Sequence, residues 1–448
     1  MSILVLLFFF GLIAVMFYTD AEGRFMALVM GTILFPTTAL FIKNPSISPQ
    51  HIFLYAYFFI EFFKDRGNFN KSLFKNLLTI PIFFNLVSYV FTAIYNSGFA
   101  TKDMYYGIRD AIDCLGYIYA AFICGRQVDI QHFAYKLIPF IYIVCFFGIA
   151  EILLDDNIPY KLVNEAFPYY DGNRDLSATM SLSQSWRFRT CFTTKHPTAF
   201  GTLLMTLFLF YAPLYKKDSP NAQKLGLLIL LLALNIFLCG SRTAMVCALF
   251  GLCLFFYDKL NIMLKILIAG IIIFSFSAIT AIMLENFKTN TDHGGSSLDF
   301  RTKQLLFSFA TIYNSPILGN GNKYTSHVIF ADESRASDSS GNDLGGLESV
   351  VFTLLIDRGF LGLFSYYLLL IWMFILLFRF RKRIPKVRNG FGLIAGGILF
   401  LTLSGTIGNS SSFIFLFTGL PLGYIAQCKE TAYENNSDIL ENTSEEVN

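Results

Sequence analysis

Two stretches of this chain, 227–238 and 266–284, are apolar runs without a polar face, and several others of similar length accompany them. In water such a run would leave no side of a helix to face solvent, so it has to be buried on all sides, by protein or by hydrocarbon. Composition generalises the point. Hydrophobic residues make up 54% of the 448 and charged residues 15%, with a mean hydropathy of +0.55. That balance marks a polytopic membrane protein and excludes a disordered chain, a disulfide-stapled secreted module and a soluble nucleotide enzyme. A net charge of +3 is too small to point to nucleic acid.

A helix needs about 20 apolar residues to cross the hydrocarbon core, with about 17 tolerable. On that rule the sequence predicts spans near 2–18, 25–42, 51–63, 77–95, 107–125, 134–154, 198–215, 224–239, 243–257, 262–284, 349–378, 390–408 and 411–427. The fold class expected is all-α: a transmembrane helical bundle of 12–13 spans, forming one domain over 1–428. Met1 to Tyr18 lacks a basic start and an A-x-A-like cleavage site, so it is expected to stay as the first helix. Lys and Arg in short loops are retained in the cytoplasm. The crowd of Arg379, Arg381, Lys382, Arg383, Lys386 and Arg388 therefore sets one side as inside. Counting from it leaves the long segments 155–197 and 285–348 outside and the acidic tail 429–448 inside, the tail without fixed structure.

Cys114, Cys124, Cys145, Cys239, Cys247 and Cys253 lie in or beside apolar runs, with no C-x-x-C pair, and are expected to pack as small apolar residues. Neither a metal nor a cofactor is expected. Within the second outer segment, residues 299–313 place Leu305, Leu306, Phe309, Ile312 and Tyr313 on one helical face and Arg301, Gln304, Ser308 and Thr311 on another. That pattern predicts an amphipathic helix lying at the membrane boundary.

Charge at membrane depth is costly, so each case needs a reason. Arg109 and Asp113 are four residues apart and share a face, which reads either as a self-neutralising pair or as a site. Glu61 and Glu151, near span ends, are expected at the interface. Arg242 stands apart, because it joins two apolar helices with no acidic neighbour in sequence. It reads as a snorkelling side chain or as a guanidinium whose planar fork meets phosphate oxygens. Arg187, Arg189, Lys195 and His196 precede the seventh span, and Arg301 opens the amphipathic helix. Positive charge retained on the outer side points to an anionic ligand there.

These residues lie in motifs that together resemble the O-antigen polymerase and O-antigen ligase superfamily. The motifs are Gly240-Ser241-Arg242-Thr243-Ala244, His196-Pro197, Asp299-Phe300-Arg301, the turn Ser315-Pro316-Ile317-Leu318-Gly319-Asn320-Gly321, and Glu348 followed by Arg358-Gly359-Phe360-Leu361-Gly362. The resemblance implies an inverting membrane glycosyltransferase of the bacterial inner membrane, active on the extracytoplasmic face. Its donor would be a glycan on undecaprenyl diphosphate, and its other partners membrane lipid and, as a further candidate, a chain-length regulator. Matching residues for the diphosphate are Arg242 and Arg301, then Arg189, with Arg187 and Lys195 close in sequence. Glu348 is the first candidate for general base and His196 the second. The ligase branch carries a histidine, often followed by asparagine, where this chain has Glu348-Ser349, and His327 lies about twenty residues too early to replace it. That departure favours a repeat-unit polymerase, with ligase and polysaccharide flippase as alternatives.

Overall fold

The computed structural model describes residues 2–36, 39–42, 47–74, 77–97, 101–167, 189–194, 196–216, 218–256, 263, 297–325, 329, 347, 349–404 and 409–445. Among them are fifteen α-helices and no strand, only an isolated bridge between Ile42 and Ile47. The helices are α1 (Ser2–Tyr18), α2 (Ala21–Leu34), α3 (Pro49–Lys64), α4 (Arg66–Phe74), α5 (Thr79–Ser97), α6 (Thr101–Gly125), α7 (Ile130–Leu154) and α8 (Ile158–Ala166) in the first half. The second half holds α9 (Pro197–Tyr211), α10 (Ala222–Leu238), α11 (Arg242–Phe255), α12 (Ser297–Thr311), α13 (Val350–Phe380), α14 (Arg388–Ser404) and α15 (Asn409–Glu445).

The all-helical polytopic bundle is as the apolar runs required. Six helical segments are long and apolar enough to cross a membrane, and α1, α10 and α11 are shorter apolar helices. The expected span 262–284 lies outside the described residues. At about 1.5 Å per residue, the 14 residues of α11 rise only about 21 Å, less than a hydrocarbon core of about 30 Å, so its neighbours must supply the rest of its apolar surroundings.

At the centre stands α15, which packs on α6, α9, α13 and α14. Its approach to α6 is close enough to need glycine, because a Cβ on Gly423 would lie 2.2 Å from the Phe122 carbonyl oxygen. Small residues let helix backbones touch where lipid removes the hydrophobic drive to associate. The apolar part of α15 gives way to a helical extension as far as Glu445, so residues 429–445, expected to lack fixed structure, are helical. Extending a nucleated helix costs far less than starting one. Arg126, at the C-terminal end of α6, holds Glu430 at 2.6 Å.

The loops sort to two ends. At one end the loop after α13 meets the N-terminus of α7 through Lys386 and Asp129, and Arg388 donates to the Phe255 carbonyl at the end of α11. Lys64 donates to the Phe17 carbonyl there too. We call this the basic end. At the distal end lie the N-termini of α9, α11, α13 and α15.

Two carboxylates expected at the interface are instead buried. Glu61 is fully enclosed and paired with Arg24 at 2.7 Å, and Glu151 accepts a hydrogen bond from the Cys191 backbone N–H at 2.8 Å. Burial of a charge is tolerable only with such partners. Asp113 lies 2.8 Å from His51 Nε2, while Arg109 comes within 3.9 Å of Asp110. The amphipathic helix forms as α12, with its polar row turned inward. Thr302, Gln304 and Ser308 are buried while Leu306, Phe309 and Tyr313 are exposed, an arrangement suited to a lipid-facing outer side. Of the six cysteines, five are buried and Cys253 is exposed.

Candidate active site at the distal end

Arg242 is the first residue of α11, set there by a tight turn. Gly240 adopts φ +64°, a left-handed conformation that favours glycine, and Ser241 caps the helix by accepting from the Ala244 N–H at 3.4 Å. The Arg242 side chain is exposed and, among the described residues, joins no ion pair. Arg189 behaves differently. Its Nε donates to the Cys239 carbonyl at 3.1 Å and its Nη2 to the Gly240 carbonyl at 3.3 Å, closing the C-terminal end of α10. The guanidinium is therefore committed to holding the turn from which Arg242 projects.

Behind Arg189 the chain is fixed on every side. Thr190, Cys191, Phe192, Thr193 and Thr194 are buried, Thr193 Oγ1 donates to the Ile33 carbonyl at 2.9 Å, and Phe192 stacks on Phe200 at 5.8 Å. This strap ends at His196, the N-cap of α9, whose Nδ1 accepts from the Thr198 N–H at 3.2 Å. A neutral imidazole that accepts at Nδ1 carries its proton on Nε2. In that tautomer His196 donates rather than accepts, which weakens its candidacy as a base.

Helix register brings α13 to the same place. In the antiparallel contact of α11 with α14, Gly251 lies against Gly392 and Cys247 against Gly396. Continued by two turns, that register sets Thr402 level with Ser241. Ser349, the N-cap of α13, donates from Oγ to the Thr402 carbonyl at 2.6 Å and accepts from the Val351 N–H at 3.1 Å. On the other flank Gly201 of α9 meets Ser241 and Ala244. The N-termini of α9, α11 and α13 thus lie at one level of the distal end, where the partial positive charge of helix N-termini favours an anion.

Of the residues singled out from sequence, the structure brings together Arg189, His196 and Arg242. Arg301 lies on α12, which packs along α13, but its side chain is outside the described residues, as are Arg187, Lys195 and Glu348 altogether.

Two of the sequence motifs meet in a second cluster, whose pairing the sequence did not show, built around a break in α13. Gly359 has φ +60° and ψ −159°, a combination essentially restricted to glycine, and it interrupts the helix. The groups freed there bond the 315–321 turn. Phe360 N donates to the Pro316 carbonyl and Leu361 N to the Ile317 carbonyl, while Asn320 N and Gly321 N donate to the Ile356 and Asp357 carbonyls, all at 2.9–3.0 Å. Two motifs forty residues apart are therefore one clasp, and a Cβ on Gly359 would lie 2.5 Å from two carbonyl oxygens of the turn. Beside it Asp357 accepts from Thr325 N–H at 2.8 Å. Arg358, 2% exposed, donates to Ser88 Oγ at 3.0 Å and lies 3.8 Å over the Tyr89 ring. Lys323, with φ +61°, reaches Asp110 at 2.9 Å. The signal was an adjacent Asp-Arg pair inside a long apolar run.

Fold and distal end together define a multi-pass, all-helical membrane protein with a cationic, helix-dipole-lined site at one end. The family model described as O-antigen ligase matches residues 227–367, from the second turn of α10 to the middle of α13, and so supports the O-antigen ligase and polymerase superfamily. That stretch contains Arg242, Arg301, the clasp and Glu348. No curated protein matches the chain.

Proposed function

We propose that the protein is an oligosaccharide repeat-unit polymerase. It would transfer a growing glycan from undecaprenyl diphosphate to a lipid-linked repeat unit at the extracytoplasmic face of the bacterial inner membrane. The observation that carries this reading is the exposed Arg242, in no ion pair among the described residues, at the distal level where three helices begin, within the matched segment. A diphosphate leaving group gains negative charge in the transition state, and a fixed guanidinium with aligned backbone N–H groups stabilises that charge. Arg242 and Arg301 would grip the diphosphate, with Arg187 and Lys195, close in sequence to Arg189, as further candidates; Arg189 acts by fixing the turn. The acceptor hydroxyl oxygen attacks the anomeric carbon, the bond from that carbon to the phosphate oxygen breaks with inversion, and the hydroxyl proton passes to the Glu348 carboxylate. Ser349, the residue after Glu348 in sequence, is anchored to the Thr402 carbonyl.

A second reading, suggested by the name of the family model, is a ligase, which would move glycan to lipid A core. Purified protein in lipid nanodiscs, given lipid diphosphate oligosaccharide, separates them. Chain lengthening supports polymerase, transfer to lipid A core supports ligase, and movement across the bilayer without bond formation overturns both in favour of a flippase.

A further inference from the structure

A lateral groove of about 340 Å³ runs between α3, α5 and α6, lined among others by Tyr55, Tyr89, Tyr119, Ala93, Gly107 and Ala111. Its facing atoms are almost all carbon. A sugar or phosphate site needs convergent polar groups, which this groove lacks. It opens sideways, since Val90 and Ile108 on its lips are 40% and 55% exposed. Its lining runs from Met104 to Tyr119 along α6, roughly 22 Å at the helical rise and parallel to the span. That shape fits one extended hydrocarbon chain entering from the bilayer.

The head of the groove is where a lipid's polar end belongs. Asn322 packs on Gly107 and donates to the Tyr89 carbonyl at 3.1 Å, and Lys323 pairs with Asp110 one turn further along α6. Both belong to the clasped turn segment of the matched region. α15 stands between the groove-bearing α6 and α9: Gly419 and Gly423 press on α6, whereas Phe417 meets Phe210 of α9 at 5.0 Å. A polymerase consumes two lipid-linked glycans at once, and a single diphosphate site serves only one of them.

We infer that the α3–α5–α6 groove holds the polyprenyl chain of the acceptor, the incoming lipid-linked repeat unit, while Arg242 serves the donor. This rests on the polymerase reading above. The test places a photoactivatable phenylalanine analogue at Val90 or, for comparison, at Leu230, a 66%-exposed residue of α10 away from the groove, and adds polyprenyl-diphosphate repeat unit. Cross-linking several-fold stronger at Val90 is expected. Val90→Trp, which fills the groove from its lip, should raise the acceptor KM about tenfold, as loss of roughly two buried methylene contacts does, with donor KM unchanged. Ile108→Trp provides a second filling variant should the first fold poorly. Equal cross-linking at Leu230, or an unchanged acceptor KM in the folded variants, overturns the groove assignment alone. If wild-type protein does not extend chains, the polymerase reading falls and the acceptor assignment with it.

Discussion

Arg242 and Arg358 both sit in the distal half of the bundle, yet one is exposed and in no ion pair among the described residues, while the other is 2% exposed and bound to Ser88 and Tyr89. The contrast separates two uses of a guanidinium in an apolar setting. Burial against hydrogen-bonding and aromatic partners makes Arg358 part of the scaffold, and its removal would strand polar groups inside the bundle. Projection from a capped, strapped turn leaves Arg242 fixed at its base and available at its tip, which is what preorganised binding of an anion requires.

The comparison is broken most severely if Arg242→Ala keeps its activity. That variant should lose polymer formation by about 10³-fold or more while its melting temperature in detergent stays at the wild-type value. Arg242→Lys should fare little better, because an ammonium cannot reproduce a bidentate fork. Next, Glu348→Gln should slow turnover by about 10²–10⁴-fold with donor binding retained, read by isothermal titration beside chain-length gels. Arg358→Ala should do the reverse of Arg242→Ala, costing about 3–5 kcal/mol of stability, seen as poor recovery and early melting. Arg189→Ala sharpens the middle ground. Losing two charge-assisted bonds to the Cys239 and Gly240 carbonyls should cost about 1.5–3 kcal/mol, lowering activity through a loosened turn.

The smallest effect lies at the basic end. Desolvation alone would raise the Asp129 carboxyl, but hydrogen bonds from Lys386 and from the Gln131 and His132 N–H groups outweigh it and hold it below 3.8. A depressed carboxyl adds stability above its unfolded value and loses it as pH falls through the folded one. The melting difference between wild type and Asp129→Asn should therefore be below about 1 kcal/mol near neutrality and vanish in acid.

The apolar runs made the helices legible, because hydropathy needs only local information. Arg242 was legible for the same reason, since a charge between two apolar helices is visible one residue at a time. Pairings across the bundle were not. Glu61 finds Arg24 37 residues away and Glu151 finds Cys191 40 residues away, so neither carboxylate could be separated from an interfacial one by helical spacing. Likewise α3 delivers His51 to Asp113, a contact no i,i+4 rule contains. The inward turn of the polar face of α12 was hidden too, since periodicity gives two faces without saying which one meets lipid.

The segment between Thr325 and Ser349 is fastened at both ends, by Asp357 on one side and by Thr402 on the other. A stretch anchored in this way can change in length and composition between its ends without disturbing the helices that hold it.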